Sequence, residues 1–268
     1  MRFASLGSGS KGNATLVQSG DTLLMVDCGF SLKETRRRLR RLQVDPAAIT
    51  AILVTHEHSD HISGVGVLAR ALGIPVYLTH GTARSGRLGA CDTVVMFNAG
   101  ESFSLGSIEV RSVVVPHDAR EPCQYLFSGN GCRVGVLTDL GSITPHVVDA
   151  YRGCHGLLLE FNHCSDLLAE GPYPPSLKSR VGGDWGHLSN RQACELLTQI
   201  ATDDLRQLAI AHISEQNNAR DAVESQLVAR IPGWRQEVVW ADQAGGFSWL
   251  AVANDALPRS AIADCEAC

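Results

Sequence analysis

The sequence predicts an α+β fold: two β-sheets packed face to face, with helices on the outside. Short apolar segments, many rich in β-branched residues, alternate with amphipathic ones along the chain. Strands come first, then helices and strands, and then the same order again, which suits two stacked sheets. Several strand-like segments run directly into a histidine or an aspartate, so polar side chains collect at strand ends.

Phe3–Leu6, Ala14–Gln18 and Thr22–Asp27 read as early antiparallel strands, the last ending in Val26-Asp-Cys-Gly29. Leu32–Leu42 reads as an amphipathic helix with Leu32, Leu39 and Leu42 inward. Ala51–Thr55 is a buried strand, and Ser63–Leu72 a helix with Val65, Leu68, Ala69 and Leu72 on one face. Val76–Thr79, Val94–Phe97, Ile108–Val115, Gln124–Phe127 and Arg133–Leu137 follow as strands, then a helix over Pro145–Tyr151 and a strand over Leu157–Phe161. The Pro/Gly-rich stretch Gly171–Gly186 reads as a loop. Ser189-Asn-Arg-Gln192 looks like a capping box opening a helix that carries Ala193, Leu196, Leu197 and Ile200 on one face. Leu208–Ile213, Glu237–Trp240 and Phe247–Val252 complete the strands. No repeat or linker interrupts the pattern, so one domain over residues 1–254 is expected, with 255–268 as a tail.

The chain has 268 residues, 44% of them hydrophobic, enough for one large core. A net charge of −5 argues against a polycation drawn to nucleic acid as a whole and leaves a local patch open. No apolar run reaches membrane-spanning length, and the start lacks the apolar core of a signal peptide. The expected compartment is the cytoplasm, where the nine cysteines would stay as free thiols. Cys265 and Cys268 form a terminal CxxC with no second pair, which argues against a metal or redox role.

The chemistry is concentrated in His56-Glu-His58-Ser-Asp60-His61, the turn after the Ala51–Thr55 strand. Buried without a cation, these residues would leave several polar groups unpaired at high cost. Imidazole and carboxylate suit zinc and similar divalent metals, and manganese accepts the same ligands. His56 and His58 can face one side of the turn and Asp60 and His61 the other, giving two adjacent cation positions. Later strand-like segments end on His117, Asp139 and His212. Alone, a strand-end histidine is ordinarily a hydrogen-bonded structural residue, and Asp139 could serve an Asx-turn. Next to the first cluster all three become candidate ligands. His80, His146 and His155 fit no such pattern and are expected to be structural or exposed.

The run from His56 to His61, followed in order by His117, Asp139 and His212, resembles the metallo-β-lactamase superfamily. That resemblance implies a four-layer αββα sandwich with the metals at one sheet edge. It also implies a ligand division: His56, His58 and His117 for one ion, Asp60, His61 and His212 for the other, with Asp139 bridging. Two cations roughly 3.5–4 Å apart can clamp an in-line displacement and acidify a bridging water, so the implied reaction is hydrolysis. Asp60 would then also orient the nucleophilic hydroxide.

Further motifs narrow the substrate. Gly186-His187-Leu-Ser-Asn190 resembles the His-Ser motif of ribonuclease Z and related phosphodiesterases, where the histidine is thought to give a proton to the leaving oxygen, a task suited to imidazole. That makes His187 a candidate catalytic residue; a loop histidine bonded to backbone is the plainer alternative. The start Ser8-Gly-Ser-Lys11-Gly-Asn13 lacks Walker spacing but can form an anion nest. Together with Glu160-Phe-Asn-His163 and His212-Ile-Ser-Glu-Gln-Asn-Asn218, these pieces resemble the WalJ/YycJ family from about Arg2 to Val252. That family is described as metal-dependent 5′-to-3′ DNA exonucleases.

The resemblance implies two divalent ions, Zn2+ or Mn2+, a nucleic-acid substrate, most simply DNA, and candidate substrate contacts at Ser8, Lys11, Asn13, His163 and Asn190. Cys164 stands where an aspartate is expected, which puts any role of Glu160 and His163 in doubt. Lys33, Arg36, Arg37, Arg38, Arg40 and Arg41 crowd one helix, either as a phosphate-contacting stripe or as a solvated face. A homodimer is the expected assembly, and no membrane association is expected. The rival function is hydrolysis of a small substrate, such as a cyclic phosphodiester, lactam, lactone or thioester, which the ligands permit equally. A non-catalytic module is a third reading, opposed by the intact ligand set.

Overall fold

Two seven-stranded sheets stack face to face in the computed structural model, which describes residues 1–201, 203–231 and 237–252. The expected boundary at 254, the tail and the Cys265/Cys268 pair lie outside the described residues. The first half of the chain runs β1 (Arg2–Gly7), β2 (Ala14–Ser19), β3 (Thr22–Val26), α1 (Leu32–Arg41), β4 (Ile49–Leu53), α2 (Ser59–Ile62), α3 (Val65–Leu72), β5 (Val76–Thr79), α4 (His80–Arg84) and β6 (Val94–Phe97). The second half runs β7 (Ser102–Leu105), β8 (Ile108–Val114), β9 (Cys123–Gly129), β10 (Cys132–Leu137), α5 (Pro145–Tyr151), β11 (Gly156–Glu160), α6 (Ser165–Glu170), α7 (Pro175–Val181), α8 (Asn190–Ile200), β12 (Gln207–Ala211), α9 (Arg220–Arg230), β13 (Val238–Trp240) and β14 (Phe247–Ala251).

The halves repeat one plan. In the first sheet β1, β2 and β3 pair antiparallel, and β3 to β6 continue in parallel through helical crossovers. In the second, β7 to β10 pair antiparallel and β10 to β13 in parallel. Strand β14 returns to pair with β1 and closes the first sheet.

Alternation along single strands explains the layers. Leu24 and Val26 of β3 face the second sheet, in the cluster that also holds Tyr125, Phe127, Val134 and Leu158. Leu23 and Met25, on the other face, pack with Leu39 of α1 and Leu68 of α3. On β11, Leu158 faces inward, while Leu157 and Leu159 meet the helical layer around Leu196 and Leu197 of α8. Both faces of each sheet are thus buried, which gives the α-β-β-α order of layers. Truncating an inter-sheet leucine such as Leu24, which has no exposed surface, is expected to cost about 2–5 kcal/mol.

Several expectations are corrected. The helix expected over Ser63–Leu72 is α3, starting at Val65, but a separate short helix, α2, precedes it where a turn was expected; Gly64 between the two packs against the Phe30 carbonyl, and a Cβ there would lie 1.9 Å from that oxygen. Gly171–Gly186 is not all loop but contains α7, which starts on Pro175, the first-turn position proline favours. Strand β7 and helices α4, α6 and α9 had no counterpart in the sequence reading. Helix α8 has its capping box at Ser189 and Gln192 as expected.

On α1, Arg38 is buried. It donates to Glu34, to the Leu6 carbonyl (2.6 Å) and to the Gln243 carbonyl (2.9 Å), and covers the Phe30 ring. Arg41 donates to the Leu6, Ala244 and Gly245 carbonyls, and Arg37 is paired with Glu34. Two of the six basic residues, Arg38 and Arg41, therefore tie the helix to the fold, Arg37 is paired within the helix, and Lys33, Arg36 and Arg40 face solvent. His146 is exposed, His80 is half-buried, and half-buried His155 accepts the Arg133 N–H through Nδ1.

Candidate metal centre

The carboxyl ends of β3, β4, β10, β11 and β12 meet at one edge of the sandwich. Three residues there hold left-handed backbone: Asp27 (φ 58°), Asp139 (φ 53°) and His212 (φ 51°). Such φ values are uncommon outside glycine and persist only where surrounding bonds fix them. At Asp27 those bonds are visible, since its carboxylate accepts from the Thr55 N–H and hydroxyl, both at 2.8 Å. At His212, Ser8 Oγ accepts the backbone N–H at 3.0 Å and Asn162 Nδ2 donates to the carbonyl at 2.9 Å.

The structure brings His56, His58, Asp60, His61, His117, Asp139 and His212 together. His56, His58 and His117 form one group with ligand atoms within 4.8 Å of one another; Asp60, His61 and His212 form another; His56, His61 and Asp139 join the two. Each histidine with a fixed ring has one nitrogen tied down behind it. His61 Nδ1 meets Asp27 Oδ2 at 2.8 Å, His117 Nδ1 meets the Gly186 carbonyl at 3.0 Å, and His56 Nδ1 meets the Thr55 hydroxyl at 2.9 Å. Such partners set the tautomer and aim the other nitrogen at the centre. His61 Nε2 then lies 3.3 Å from both Asp60 Oδ2 and Asp139 Oδ2.

Three buried atoms of this cluster, His56 Nε2, Asp139 Oδ2 and His212 Nδ1, have no hydrogen-bond partner. Buried polar atoms are rarely left so, because the loss of hydration is uncompensated. A divalent cation among them supplies the missing interaction, and imidazole with carboxylate is a donor set that zinc and manganese accept. Charge points the same way. Burial, and the neighbouring His61, His117 and His58, hold His56 well below the usual histidine range, leaving a neutral lone pair. Burial works against the Asp139 carboxylate, but His212 and His61 more than reverse it and keep it ionised. The residues fit divalent cations.

Behind this cluster lies a second carboxylate. Glu160 is fully buried and accepts the backbone N–H of Asp139 (2.9 Å) and of Leu188 (2.8 Å). Its Oε2 also meets His187 Nδ1 at 2.9 Å. Burial opposes a charge on His187, but Glu160, Asp139 and Asp60 together push it up to about 9. The His187 side chain keeps 20% of its surface exposed. It borders an open cleft of about 470 Å³ lined also by His58, Asp60, Asp139, His212, Arg87 and Arg180.

Residues 22–213 match the beta-lactamase superfamily domain. The exodeoxyribonuclease YycJ of Bacillus anthracis is 36% identical over 225 residues, 82% of this chain and 85% of that protein. The exodeoxyribonuclease WalJ of Streptococcus pneumoniae is 33% identical over 236 residues, 86% of this chain and 88% of that protein. The chain belongs to the YycJ/WalJ family. The metallo-beta-lactamase fold protein YhfI of Bacillus subtilis superposes with a TM-score of 0.73 at 16% identity, over 93% of this chain and 99% of that one. The fold is the expected metallo-β-lactamase sandwich, and this member of the YycJ/WalJ family is a metal-dependent hydrolase.

Seen in this family member, the sequence candidates fall into three places. His56, His58, Asp60, His61, His117, Asp139 and His212 form the centre, and His187 borders the cleft beside it. Ser8 and Asn13 are buried behind the candidate ligands. Ser8 fixes His212, and Asn13 Nδ2 lies 3.2 Å from Asp60 Oδ2 and 3.1 Å from His61 Nε2. His163 and Asn190 do not line the cleft. The His163 ring is buried, which lowers it to about 4, and Asn190 exchanges hydrogen bonds with Asn218. Lys11 is exposed and paired with Glu215 at 2.5 Å. Cys164 precedes α6, with its N–H on the Asn217 carbonyl, and does not touch Glu160's bonds. Sequence reasoning missed Asp27, Thr55, Asp118 and Arg180 as parts of the site. Asp27 was findable, since it ends a strand much as Asp139 does; Asp118 and Arg180, 62 positions apart and 2.5 Å from each other, gave no local signal.

No helix among the described residues is long and apolar enough to cross a membrane.

Proposed function

We propose that this chain is a dinuclear-metal-dependent phosphodiesterase that degrades DNA from the 5′ end. The observation that supports this most is His187. It is an imidazole held by a buried carboxylate, bordering an open cleft and standing beside a ligand set for two ions. An alkoxide leaving a phosphodiester needs a proton, and a group in that position can give one. The names of the two relatives, both exodeoxyribonucleases, support DNA as the polymer.

In this reading His56, His58 and His117 hold one ion, Asp60, His61 and His212 the other, and Asp139 lies between. Divalent cations there, zinc or manganese, would acidify water and offset negative charge on the phosphate. Asp60, fixed from behind by Asn13 and partly open to the cleft, accepts a hydrogen bond from the attacking water and sets its direction. Glu160 keeps His187 in one tautomer, with Nε2 left for the leaving oxygen. Arg87 and Arg180 at the cleft mouth attract the backbone phosphates.

The test is a time course on end-labelled duplex DNA with metal-loaded protein and with Asp139→Ala. Progressive shortening from the 5′ end, absent in the variant, is expected. Fully metallated protein that leaves DNA intact while hydrolysing a small phosphodiester or an acyl substrate would transfer the site to the small-molecule reading.

A further inference from the structure

Beside the metal cleft stands one wall of which the chemistry described so far uses only Arg180 and His187. Tyr173, Leu177, Arg180 and Val181 line the cleft from α7 and the turn before it, and Gly186 and His187 line it from the turn after. Between them Trp185 is 64% exposed, and it is the one aromatic among the large apolar side chains that are exposed in the described residues. A single exposed apolar side chain is common on a protein surface; this one is set apart by its place in sequence between cleft-lining residues and by the turn that carries it.

The ring does not hang on a loose loop. The Trp185 carbonyl accepts the Asp118 N–H at 2.9 Å, the Gly186 N–H reaches Gly183 at 2.8 Å, and the His187 N–H reaches Val181 at 2.9 Å. Gly141 packs so closely beneath that a Cβ there would lie 2.3 Å from the Asp184 carbonyl. The Gly186 carbonyl next to the ring holds His117. An exposed aromatic is therefore presented on backbone continuous with the ligand shell. Arg180, 58% exposed and paired with Asp118, lines the cleft five residues before the ring.

We propose that Trp185 is a stacking platform for an unpaired nucleobase of the strand whose phosphate enters the cleft. Arg180 neutralises a neighbouring phosphate, and Tyr173 borders the sugar. An aromatic face beside cations is the composition that single-stranded nucleic acid requires, and it is indifferent to base identity because every base has a π-face. The platform would hold the terminal nucleotide while His187 and the ligand cluster act on its phosphodiester. This assignment rests on the nucleic-acid reading above.

The test compares Trp185→Ala and Trp185→Phe with wild type, each fully metallated, on single-stranded DNA and on bis(p-nitrophenyl) phosphate, which has no base. In Trp185→Ala the ratio of DNA kcat/KM to that on the small diester is expected to fall roughly 5- to 150-fold, mostly through KM, the range that removal of a base-stacking aromatic gives. Trp185→Phe should recover most of it. On oligonucleotides abasic over three nucleotides at both ends, wild type and Trp185→Ala should converge. An unchanged ratio, or a loss that persists undiminished on abasic DNA, overturns the assignment. An unchanged ratio together with altered self-association in sedimentation would give the ring to a protein interface instead. Wild-type protein that cleaves the small diester but neither binds nor cleaves DNA would overturn the exonuclease reading first.

Discussion

Asp27 at the end of β3 meets His61 Nδ1 at 2.8 Å, and Glu160 at the end of β11 meets His187 Nδ1 at 2.9 Å. Each sheet thus delivers one buried carboxylate and one imidazole to the same edge. The pairs differ in what the other nitrogen sees. His61 has no exposed surface, and its Nε2 faces Asp60 and Asp139. His187 retains 20% exposure and borders the cleft. The same hydrogen bond therefore serves different ends: enclosed among carboxylates the imidazole is suited to a cation, and open to solvent it is suited to a proton in transit. Burial, not residue type, separates the two roles.

The largest effect is expected at Asp139, which approaches both pairs, 3.3 Å from His61 Nε2 and 3.8 Å from His187 Nδ1. Asp139→Ala should lose bound metal and activity together; metal analysis of the purified variant and a cleavage assay read the two separately. A fully metallated Asp139→Ala protein would remove it from the centre.

His187→Ala should retain the metal and lose roughly 10²–10⁴-fold in rate, as for removal of a general acid. Near-normal DNA cleavage by a metallated variant would erase the distinction between the pairs. Asp27→Asn should behave in the opposite way, with metal affinity lowered by about 10–100-fold and recovered turnover at saturating metal. A competition titration with a chromogenic chelator measures this, and unchanged affinity would show that the Asp27–His61 bond supports only the fold.

Arg38→Ala should have the smallest effect at the centre. It removes the guanidinium donor of the Gln243 carbonyl and leaves the Leu6 carbonyl only the longer bond from Arg41, for about 1–3 kcal/mol of stability in urea unfolding, with metal content retained. Loss of DNA affinity without loss of stability would restore α1 as a phosphate-contacting face.

Of the fold, most strands were legible as short apolar runs, as Thr22–Val26 is, whereas which residues of such a run face which layer, Leu24 and Val26 toward the second sheet and Leu23 and Met25 toward the helices, was not. Helix α7 was not legible, because Pro174, Pro175 and the following glycines outweigh a stretch with only Leu177 and Val181 as apolar residues. A proline at the first turn opens a helix as readily as it ends one.

The sequence by itself determined which candidate ligands come together. His56, His58, Asp60 and His61 lie within one turn, so their proximity needs no knowledge of the rest of the chain. His117, Asp139 and His212 each follow a strand, and the sandwich gathers their strand ends at one edge. Tertiary structure alone decided which nitrogen each histidine offers and which side chains stand behind. Asp27 is 34 residues from His61, Glu160 is 27 from His187, and Ser8 is 204 from the His212 N–H that it accepts. Hydrogen bonds over such separations leave no spacing pattern in a sequence. They form because sheet register brings distant strand ends within 3 Å, and that register is fixed by the whole of the buried core.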